Sequence, residues 1–191
     1  MNDAVERKFP SGMVKSHLPP LSMITGAAAS GKSGFAERLC GSTGCRCYYV
    51  ATMRRSPDAE LAERIRRHEL VRGRGWTTAE VPLEVARHVS ALREGVALVD
   101  CATLWLANAS EAGRGEEAPA LADALAEAVV PVVAVTNELG WGMVPMDAGA
   151  RAFRDAHGRM NQALAARAGL VVLVASGLPL ALKGRLPEGV A

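Results

Sequence analysis

The sequence is poor in the features that mark several large classes of protein. Its 191 residues include only four cysteines, and aromatic residues make up 4% of the chain. A disulfide framework is not typical of a chain of this size and composition, so we expect free thiols and a cytoplasmic location. No apolar run approaches the roughly eighteen residues of a membrane span. The net charge of +2 gives no support for a nucleic-acid or membrane partner, which would need clustered basic residues.

The N-terminal segment does not have the pattern of a secretory signal. Residues 1–20 read MNDAVERKFPSGMVKSHLPP, with charges of both signs, prolines and no apolar centre. We expect residues 1–20 to form a poorly ordered extension ahead of the first strand. We expect residues 21–191 to form a single catalytic domain, because the length is ordinary for one domain.

Short apolar runs alternate with longer helical patterns along the chain. Runs of this kind are typical of strands in a parallel sheet whose two faces are both covered. They lie at 21–25, 48–52, 96–101, 131–136 and 170–176. Helical patterns lie at 32–41, 58–72, 82–94, 118–129 and 147–168, and the polar run 108–120 is typical of a mobile loop. The alternation predicts an α/β fold with a doubly wound, mostly parallel sheet flanked by helices.

A loop of small residues follows the first predicted strand. Residues 26–33, GAAASGKS, match the phosphate-binding pattern G-x-x-x-x-G-K-S/T, between a strand and a helix. Small side chains let a phosphate chain lie against backbone N–H groups. Lys32 places a point charge at the β- and γ-phosphates, the Ser33 hydroxyl is placed to ligate Mg²⁺, and the helix directs its unpaired N–H groups at the same phosphates. The stretch predicts a nucleotide-binding P-loop, the alternative being a Gly/Ala-rich turn that matches by coincidence.

Asp100 is the candidate for the second half of a P-loop site. It ends the apolar run VALVD, where P-loop proteins place the acidic residue that holds Mg²⁺ directly or through water. The alternative is a strand-end carboxylate that caps the next turn. Kinases, ATPases and GTPases share these elements, so the elements predict a P-loop NTPase fold without defining a reaction.

A histidine lies inside the second predicted helix. The stretch SPDAELAERIRRHELVRG begins with Ser56 as a capping residue, and Leu61, Ile65 and His68 share one stripe at 100° per residue. A histidine on the inward stripe of a helix is more often structural than catalytic. Periodicity alone therefore does not assign a reaction to His68.

Several stretches together resemble the bifunctional adenosylcobinamide kinase/adenosylcobinamide-phosphate guanylyltransferase family of cobalamin biosynthesis. They are TGAAASGKS, YYVATM, ELAERIRRHELVRGRGWTTAE, LVDCATLWLAN, VTNELGWGMVP and ARAFRDAHGRMNQALAARAGLVVLVASGLPLALK. They follow the family's order over residues 22–183, and TNELGWGMVP with FRDAHGRMNQ is the most specific part. The resemblance implies that adenosylcobinamide is phosphorylated with ATP or GTP, and that adenosylcobinamide phosphate then receives GMP from GTP.

The resemblance implies that His68 is the residue that becomes guanylylated. Neutral imidazole is nucleophilic near pH 7, so it is suited to attack the α-phosphorus of GTP and expel pyrophosphate. Lys32 is the second expected catalytic residue, and Ser33 and Asp100 would hold Mg²⁺. Glu80 would accept hydrogen bonds from guanine, the alternative being that Glu80 is a solvated strand-end carboxylate. The full set expected at the nucleotide is Gly26, Ala27, Ala28, Ala29, Ser30, Gly31, Lys32, Ser33, Ala51, Thr52, Met53, Glu69, Arg72, Glu80 and Asp100.

The loop departs from the family's usual Gly-Gly-x-Arg-Ser-Gly-Lys-Ser. Ala27 stands where the family has glycine and Ala29 where it has arginine, so a cationic side chain is missing from the loop. The family also implies a homotrimer with the corrinoid at a subunit junction, and Trp141 and Met143 are suited to an interface or a ligand. Two alternatives remain: a P-loop small-molecule kinase with a structural His68, and a nucleotide-binding regulatory module.

Overall fold

The structure is a computed structural model that describes residues 18–54 and 75–190. Its strands are β1 (Leu21–Thr25), β2 (Cys47–Ala51), β3 (Trp76–Glu80), β4 (Val96–Asp100), β5 (Val132–Val135), β6 (Leu170–Ala175) and β7 (Leu178–Lys183). Its helices are α1 (Lys32–Gly41), α2 (Val85–Ala91), α3 (Ala102–Glu111), α4 (Ala118–Glu127) and α5 (Ala148–Arg167), with a 3₁₀ turn at Gly115–Glu117. The predicted helix 58–72 and residues 1–17 of the predicted extension lie outside the described residues.

The seven strands form one sheet in the order β3-β2-β4-β5-β1-β6-β7. Six strands are parallel, and β7 pairs antiparallel with β6. This confirms the doubly wound, mostly parallel sheet. Because β5 lies between β1 and β4, the residues that follow β5 are placed between the loop after β1 and the end of β4. The topology thus brings three chain segments to one edge of the sheet.

The core lies on both faces of the sheet because successive strand residues point to opposite faces. On one face Ile24, Leu98 and Val133 pack with Phe35 and Leu39 of α1. The opposite face carries the alternate strand residues and is covered by the other helices. Burial of each large side chain stabilises the folded state by roughly 1.5–3 kcal/mol relative to exposure. The strands that carry the residues at the carboxyl edge of the sheet are therefore firmly packed.

Several predicted boundaries need correction. The predicted loop 108–120 is wrong, because 108–111 complete α3, 115–117 form the 3₁₀ turn and 118–120 begin α4. Helix α3 was not predicted from the sequence, and its N-terminus has no side-chain cap that would have marked its start. Strands β3 and β7 were not predicted either, since they are edge strands with largely exposed side chains. The predicted helix 82–94 is shorter and spans 85–91.

The described part of the chain contains no helix that is both long enough and apolar enough to cross a membrane. The longest helix, α5, has 20 residues but carries several charged side chains. All four cysteines lie in the described part and are free thiols.

Candidate nucleotide-binding site

The loop between β1 and α1 presents its backbone to solvent. The side chains of Ala27, Ala28 and Ala29 are exposed and small, so nothing covers the peptide groups that they carry. The loop is closed by two bonds to the Ala27 carbonyl, one from the Ser30 N–H at 3.2 Å and one from Lys32 Nζ at 3.0 Å. The Lys32 ammonium is therefore held over the loop rather than directed away from it.

The two glycines of the loop are required by close contacts and by backbone conformation. A Cβ on Gly26 would collide with the carbonyl oxygen of Val174 on β6 and would lie 2.7 Å from Ser30 Oγ. Gly31 has a φ of 91°, in the left-handed region that favours glycine. Ala29 also has a positive φ, of 56°, which is uncommon for a residue with a side chain. The loop is thus a tight turn packed against β6.

The donor groups around this loop suit an anion. Helix α1 begins at Lys32 without a side-chain cap, so its first N–H groups have no side-chain acceptor. The positive end of the helix dipole lies at the same place. The exposed backbone, the uncapped helix and the Lys32 charge are together of the kind that suits a phosphate group. Ser33 is half-buried in the first turn of α1.

The residues predicted at the carboxyl ends of β2, β3 and β4 lie in one row. Ala51 is paired with Glu80 on one side and with Asp100 on the other. Asp100 is paired in turn with Val135 of β5, which is paired with Ile24 of β1. The row ends beside the phosphate loop, so Ala51, Glu80 and Asp100 share one edge of the sheet with Lys32.

Asp100 is held by a hydrogen bond from the neighbouring strand. The Tyr49 hydroxyl donates to Asp100 Oδ2 at 2.8 Å, and the Tyr49 ring packs edge-on against Trp76 at 6.2 Å. Burial, followed by the Asp100 charge, raises the pKa of the adjacent Cys101 thiol, and the Lys32 charge lowers it. Cys101 therefore lies within electrostatic reach of both Lys32 and Asp100 and favours its neutral thiol form.

Thr52 supports the turn after β2. Its hydroxyl donates to the Cys101 carbonyl at 2.8 Å and accepts from the Cys101 N–H at 2.9 Å. The Thr52 N–H donates to the Asp100 carbonyl, and the Thr52 carbonyl accepts from Asn108 Nδ2 at 2.8 Å. With all of these groups bonded inside the protein, Thr52 fixes the half-buried residues on either side of it, Ala51 and Met53.

A buried polar network follows β5, and it was not assigned from the sequence. Thr136 Oγ1 donates to Asn161 Oδ1 at 2.8 Å, and Asn161 Nδ2 donates to the Asn137 carbonyl at 2.9 Å and to Glu138 Oε1 at 3.3 Å. Glu138 Oε1 also accepts from the hydroxyl of Thr25 at 2.7 Å. The network thus joins α5 to the residue immediately before the phosphate loop. The available signal was the run of three polar residues, TNE, directly after an apolar strand.

His157 closes the network on its inner side. Its Nε2 lies 2.9 Å from Thr103 Oγ1 and 3.3 Å from Thr136 Oγ1. Only 1% of His157 is exposed, and this burial lowers the pKa of the imidazole, against a smaller raising effect of the Glu138 charge. The neutral ring is therefore the favoured form in the folded protein.

The loop that follows this network carries exposed apolar side chains. Trp141 is 71% exposed, and Met143 and Met146 are more than nine-tenths exposed. The loop backbone is held in place by α5, because Arg151 donates to the carbonyls of residues 145 and 146, and Arg154 donates to those of residues 140 and 143. The apolar side chains are thus displayed by a backbone with defined contacts.

Three of the predicted site residues, His68, Glu69 and Arg72, lie outside the described residues. The others, from the phosphate loop, β2, β3 and β4, lie along one edge of the sheet. Within the described residues, no group of three or more His, Cys, Asp or Glu side chains is arranged to hold a metal. The sequence-based prediction for Ser33 and Asp100 concerns a different kind of site, since Mg²⁺ takes few protein oxygens and completes its shell with phosphates and water.

Comparison with known proteins gives one family match. A family model described as cobinamide kinase/cobinamide phosphate guanyltransferase matches residues 22–182. The bifunctional adenosylcobalamin biosynthesis protein CobP of Pseudomonas aeruginosa is 38% identical over 168 residues, covering 85% of this chain and 96% of that protein. The bifunctional adenosylcobalamin biosynthesis protein CobU of Escherichia coli is 36% identical, covering 84% of this chain and 98% of that protein.

Solved structures with the same fold are more distant in sequence. The flagellar accessory protein FlaH of Methanocaldococcus jannaschii has a TM-score of 0.51 at 16% identity, covering 88% of this chain and 80% of its own. The RadB recombinase has a TM-score of 0.51 at 21% identity, covering 90% and 85%. At these identities the likeness shows the fold alone, and it agrees with the predicted α/β fold with a mostly parallel sheet flanked by helices.

Proposed function

This chain belongs to the cobinamide kinase/cobinamide phosphate guanyltransferase family, and we propose that it carries out both reactions. Adenosylcobinamide is phosphorylated with ATP or GTP, and adenosylcobinamide phosphate then receives GMP from GTP to give adenosylcobinamide-GDP. The observation that supports this best is the open phosphate loop at Gly26–Ser33, on the same sheet edge as Asp100. Residues 21–191 act as one catalytic domain.

In the kinase reaction the protein contributes mainly position and charge. The loop backbone and the N-terminus of α1 would hold the triphosphate, and Lys32, which lies over the loop, would contact the γ-phosphate. The residues fit Mg²⁺, with the Ser33 hydroxyl and the Asp100 carboxylate as its protein ligands. When bound, Mg²⁺ would neutralise charge on the β- and γ-phosphate oxygens. The Tyr49 hydroxyl orients Asp100 for that role.

In the guanylyl transfer His68 is the nucleophile. A ring nitrogen attacks the α-phosphorus of GTP, an N–P bond forms, and the bond to the bridging oxygen breaks as pyrophosphate leaves. A phosphate oxygen of adenosylcobinamide phosphate then attacks the same phosphorus, and the N–P bond breaks to free the imidazole. Dividing the transfer into two displacements lets one phosphate site serve both halves.

The residues that would hold the guanosine end of the nucleotide are at the ends of β2 and β3. Ala51 and Met53 are half-exposed beside Asp100, and Glu80 is exposed at the end of the same row. A carboxylate there can accept hydrogen bonds from guanine N1–H and from the guanine amino group. Glu69 and Arg72 are proposed to contact the nucleotide as neighbours of His68 in the sequence.

The active assembly is proposed to be a cytoplasmic homotrimer, with the corrinoid at a subunit junction and no nucleic-acid partner. The exposed apolar side chains of the loop at 139–146 supply surface for such a junction. Size-exclusion chromatography with light scattering measures the mass of the assembly directly. A monomer at micromolar concentration would contradict the trimer and would leave the reaction chemistry untouched.

Intact mass after incubation with GTP and Mg²⁺ tests the two-reaction function. We expect an increase equal to one GMP per chain, with release of pyrophosphate, and its loss on addition of adenosylcobinamide phosphate. Phosphorylation of adenosylcobinamide without any mass increase would indicate a kinase that lacks the guanylyl transfer. Nucleotide binding with neither reaction would indicate a regulatory module.

A further inference from the structure

Three acidic side chains of the described residues lie at or just beyond the carboxyl ends of the parallel strands: Glu80, Asp100 and Glu138. Glu80 is on β3, four strands from β1, or roughly 19 Å at about 4.8 Å per strand. Asp100 accepts a hydrogen bond from Tyr49 and is the proposed metal ligand. Glu138 is the one of these three that is bonded directly to the phosphate loop.

Glu138 is joined to the loop by its backbone and by its side chain. Its N–H donates to the carbonyl oxygen of Gly26, the first loop residue, at 3.2 Å. Its Oε1 accepts from the hydroxyl of Thr25, the residue before the loop, at 2.7 Å. The carboxylate is therefore held at the start of the loop that binds the triphosphate.

Only one oxygen of this carboxylate is used by the described residues. Both hydrogen bonds to the side chain, from Thr25 and from Asn161 Nδ2, end on Oε1. Asn161 is itself buried and bonded to Thr136 and to the Asn137 carbonyl, so it has a fixed orientation. Oε2 accepts no donor from the described residues, and the Glu138 side chain is partly exposed.

The described surroundings do not pair this carboxylate with a cation. No lysine or arginine of the described part forms an ion pair with Glu138. The imidazole of His157 lies on the inner side of the same network, and burial lowers its pKa, which favours the uncharged ring. A fully buried carboxylate would ordinarily be paired with a cation or bonded through both oxygens, whereas the side chain of Glu138 is partly exposed. Glu138 is oriented by its neighbours through Oε1, and its Oε2 has no donor among the described residues.

We infer that Glu138 is the catalytic residue that accepts the proton in the kinase step, an inference that rests on the proposed function. As the substrate hydroxyl oxygen forms a bond to the γ-phosphorus, its proton passes to Glu138 Oε2. The bond between the γ-phosphorus and the bridging oxygen breaks, and the nucleoside diphosphate leaves with the electron pair. The proton is then released to water when the product departs. Thr25 and Asn161 are positioning residues that fix Oε1.

The guanylyl transfer gives an internal control, because it uses the same phosphate loop but needs no proton acceptor for a hydroxyl. Glu138→Gln preserves the shape of the side chain and an acceptor oxygen for Thr25 and Asn161. We expect single-turnover phosphorylation of adenosylcobinamide by GTP to fall by roughly 10²- to 10⁴-fold. The affinity for GTP and the yield of covalent GMP adduct are expected to remain within about threefold of the wild type.

Two further variants sharpen the test. Glu138→Asp withdraws the carboxylate by one methylene and is expected to give an intermediate phosphorylation rate. Glu127→Gln is the matched control, because Glu127 is exposed and ends α4 ahead of β5, at the opposite edge of the sheet. It should match the wild type in both reactions.

The outcomes separate this inference from the proposed function. If the wild type phosphorylates adenosylcobinamide and Glu138→Gln does so at a similar rate, Glu138 is not the proton acceptor. If Glu138→Gln lost phosphorylation, GTP binding and the GMP adduct together, the inference would also be overturned. That result would indicate that Glu138 only holds the phosphate loop in its structure. A wild type without phosphorylation would refute the proposed kinase itself.

Discussion

The Tyr49 hydroxyl donates a 2.8 Å hydrogen bond to Asp100 Oδ2, between neighbouring strands β2 and β4. This bond leaves Asp100 Oδ1 for other ligands and fixes the plane of the carboxylate. Only 8% of Tyr49 is exposed, so water has little access to replace its hydroxyl as the donor to Asp100. The orientation of the proposed metal ligand therefore depends on a residue that does not itself contact the metal.

Tyr49→Phe removes this hydrogen bond while keeping the ring. We expect the Mg²⁺ concentration for half-maximal phosphorylation to rise by roughly tenfold, because a hydrogen bond to a charged group contributes about 1.5–3 kcal/mol. A Mg²⁺ titration at saturating GTP measures the change. Tyr48→Phe is the control, since the Tyr48 ring contacts Arg46 and faces the other side of the sheet. Equal Mg²⁺ dependence in the wild type and both variants would contradict the orienting role.

Lys32→Ala tests the phosphate loop for both reactions at once. Loss of one charge-assisted contact is expected to weaken GTP binding by about ten- to a hundredfold, since it removes roughly 1.5–3 kcal/mol. Isothermal titration with GTP gives the affinity, and both reaction rates should fall. Lys183→Gln, on β7, removes the same charge away from the loop and should bind GTP normally. Unchanged GTP affinity in Lys32→Ala would argue against the site.

Much of the fold could be predicted because buried parallel strands have a strong sequence pattern. Strand β5 is buried along its whole length, and α1 has the predicted bounds 32–41. Edge strands lack the pattern of a strand buried on both faces, because their side chains are largely exposed. Strand β3, WTTAE, is the clearest case. Its formation depends on pairing with β2, which no local pattern in the sequence specifies.

The site was only partly predictable for a related reason. The loop at Gly26–Ser33 has a local motif, and Asp100 could be found at the end of an apolar run. The contact of Glu138 with Thr25 spans 113 residues and arises only because β5 lies beside β1. The run TNE could be located after a strand from the sequence, but the strand order could not. Without the strand order, no role could be predicted for Glu138.

Gly26→Ala tests the packing of the phosphate loop. The new Cβ would collide with the Val174 carbonyl, and over-packing of this kind costs roughly 1–3 kcal/mol of folding stability. Urea unfolding measures this cost, and GTP binding should fall with it. Gly41→Ala is the matched control, because a Cβ there meets nothing within 4 Å, and it should be stabilising by roughly 0.4–1 kcal/mol. Equal stability of the two variants would exclude a tight loop.

The buried imidazole of His157 makes the stability depend on pH. Burial lowers the pKa of His157 in the folded state, so the unfolded chain binds more protons as the pH falls below about 6.5. The free energy of unfolding should therefore decrease as the pH falls from about 6.5 towards the folded-state pKa. Urea unfolding of the wild type and of His157→Gln at several pH values measures the effect. A pH dependence that is the same in both proteins would remove His157 as its source.

His68→Ala decides the assignment of the guanylyl transfer. The covalent GMP adduct and the transfer of GMP should be abolished, because no other group is proposed to attack the α-phosphorus. Phosphorylation of adenosylcobinamide should survive in part, since transfer of the γ-phosphoryl group to a hydroxyl needs no histidine nucleophile. Intact mass after incubation with GTP, together with a phosphorylation assay, measures both outcomes. His88→Gln, on helix α2, is the control and should form the adduct normally.

The chemistry of the adduct gives an independent check on His68. A phosphoramidate N–P bond breaks once its nitrogen is protonated, so the adduct should be labile in acid and stable in base. Adduct formation should fall at low pH, because only the neutral imidazole is nucleophilic, and ordinary imidazole titrates near about 6.5. Peptide mapping of the modified protein locates the GMP. An adduct that persists in His68→Ala, or that maps to a lysine, would return His68 to a structural role and transfer the chemistry to another side chain.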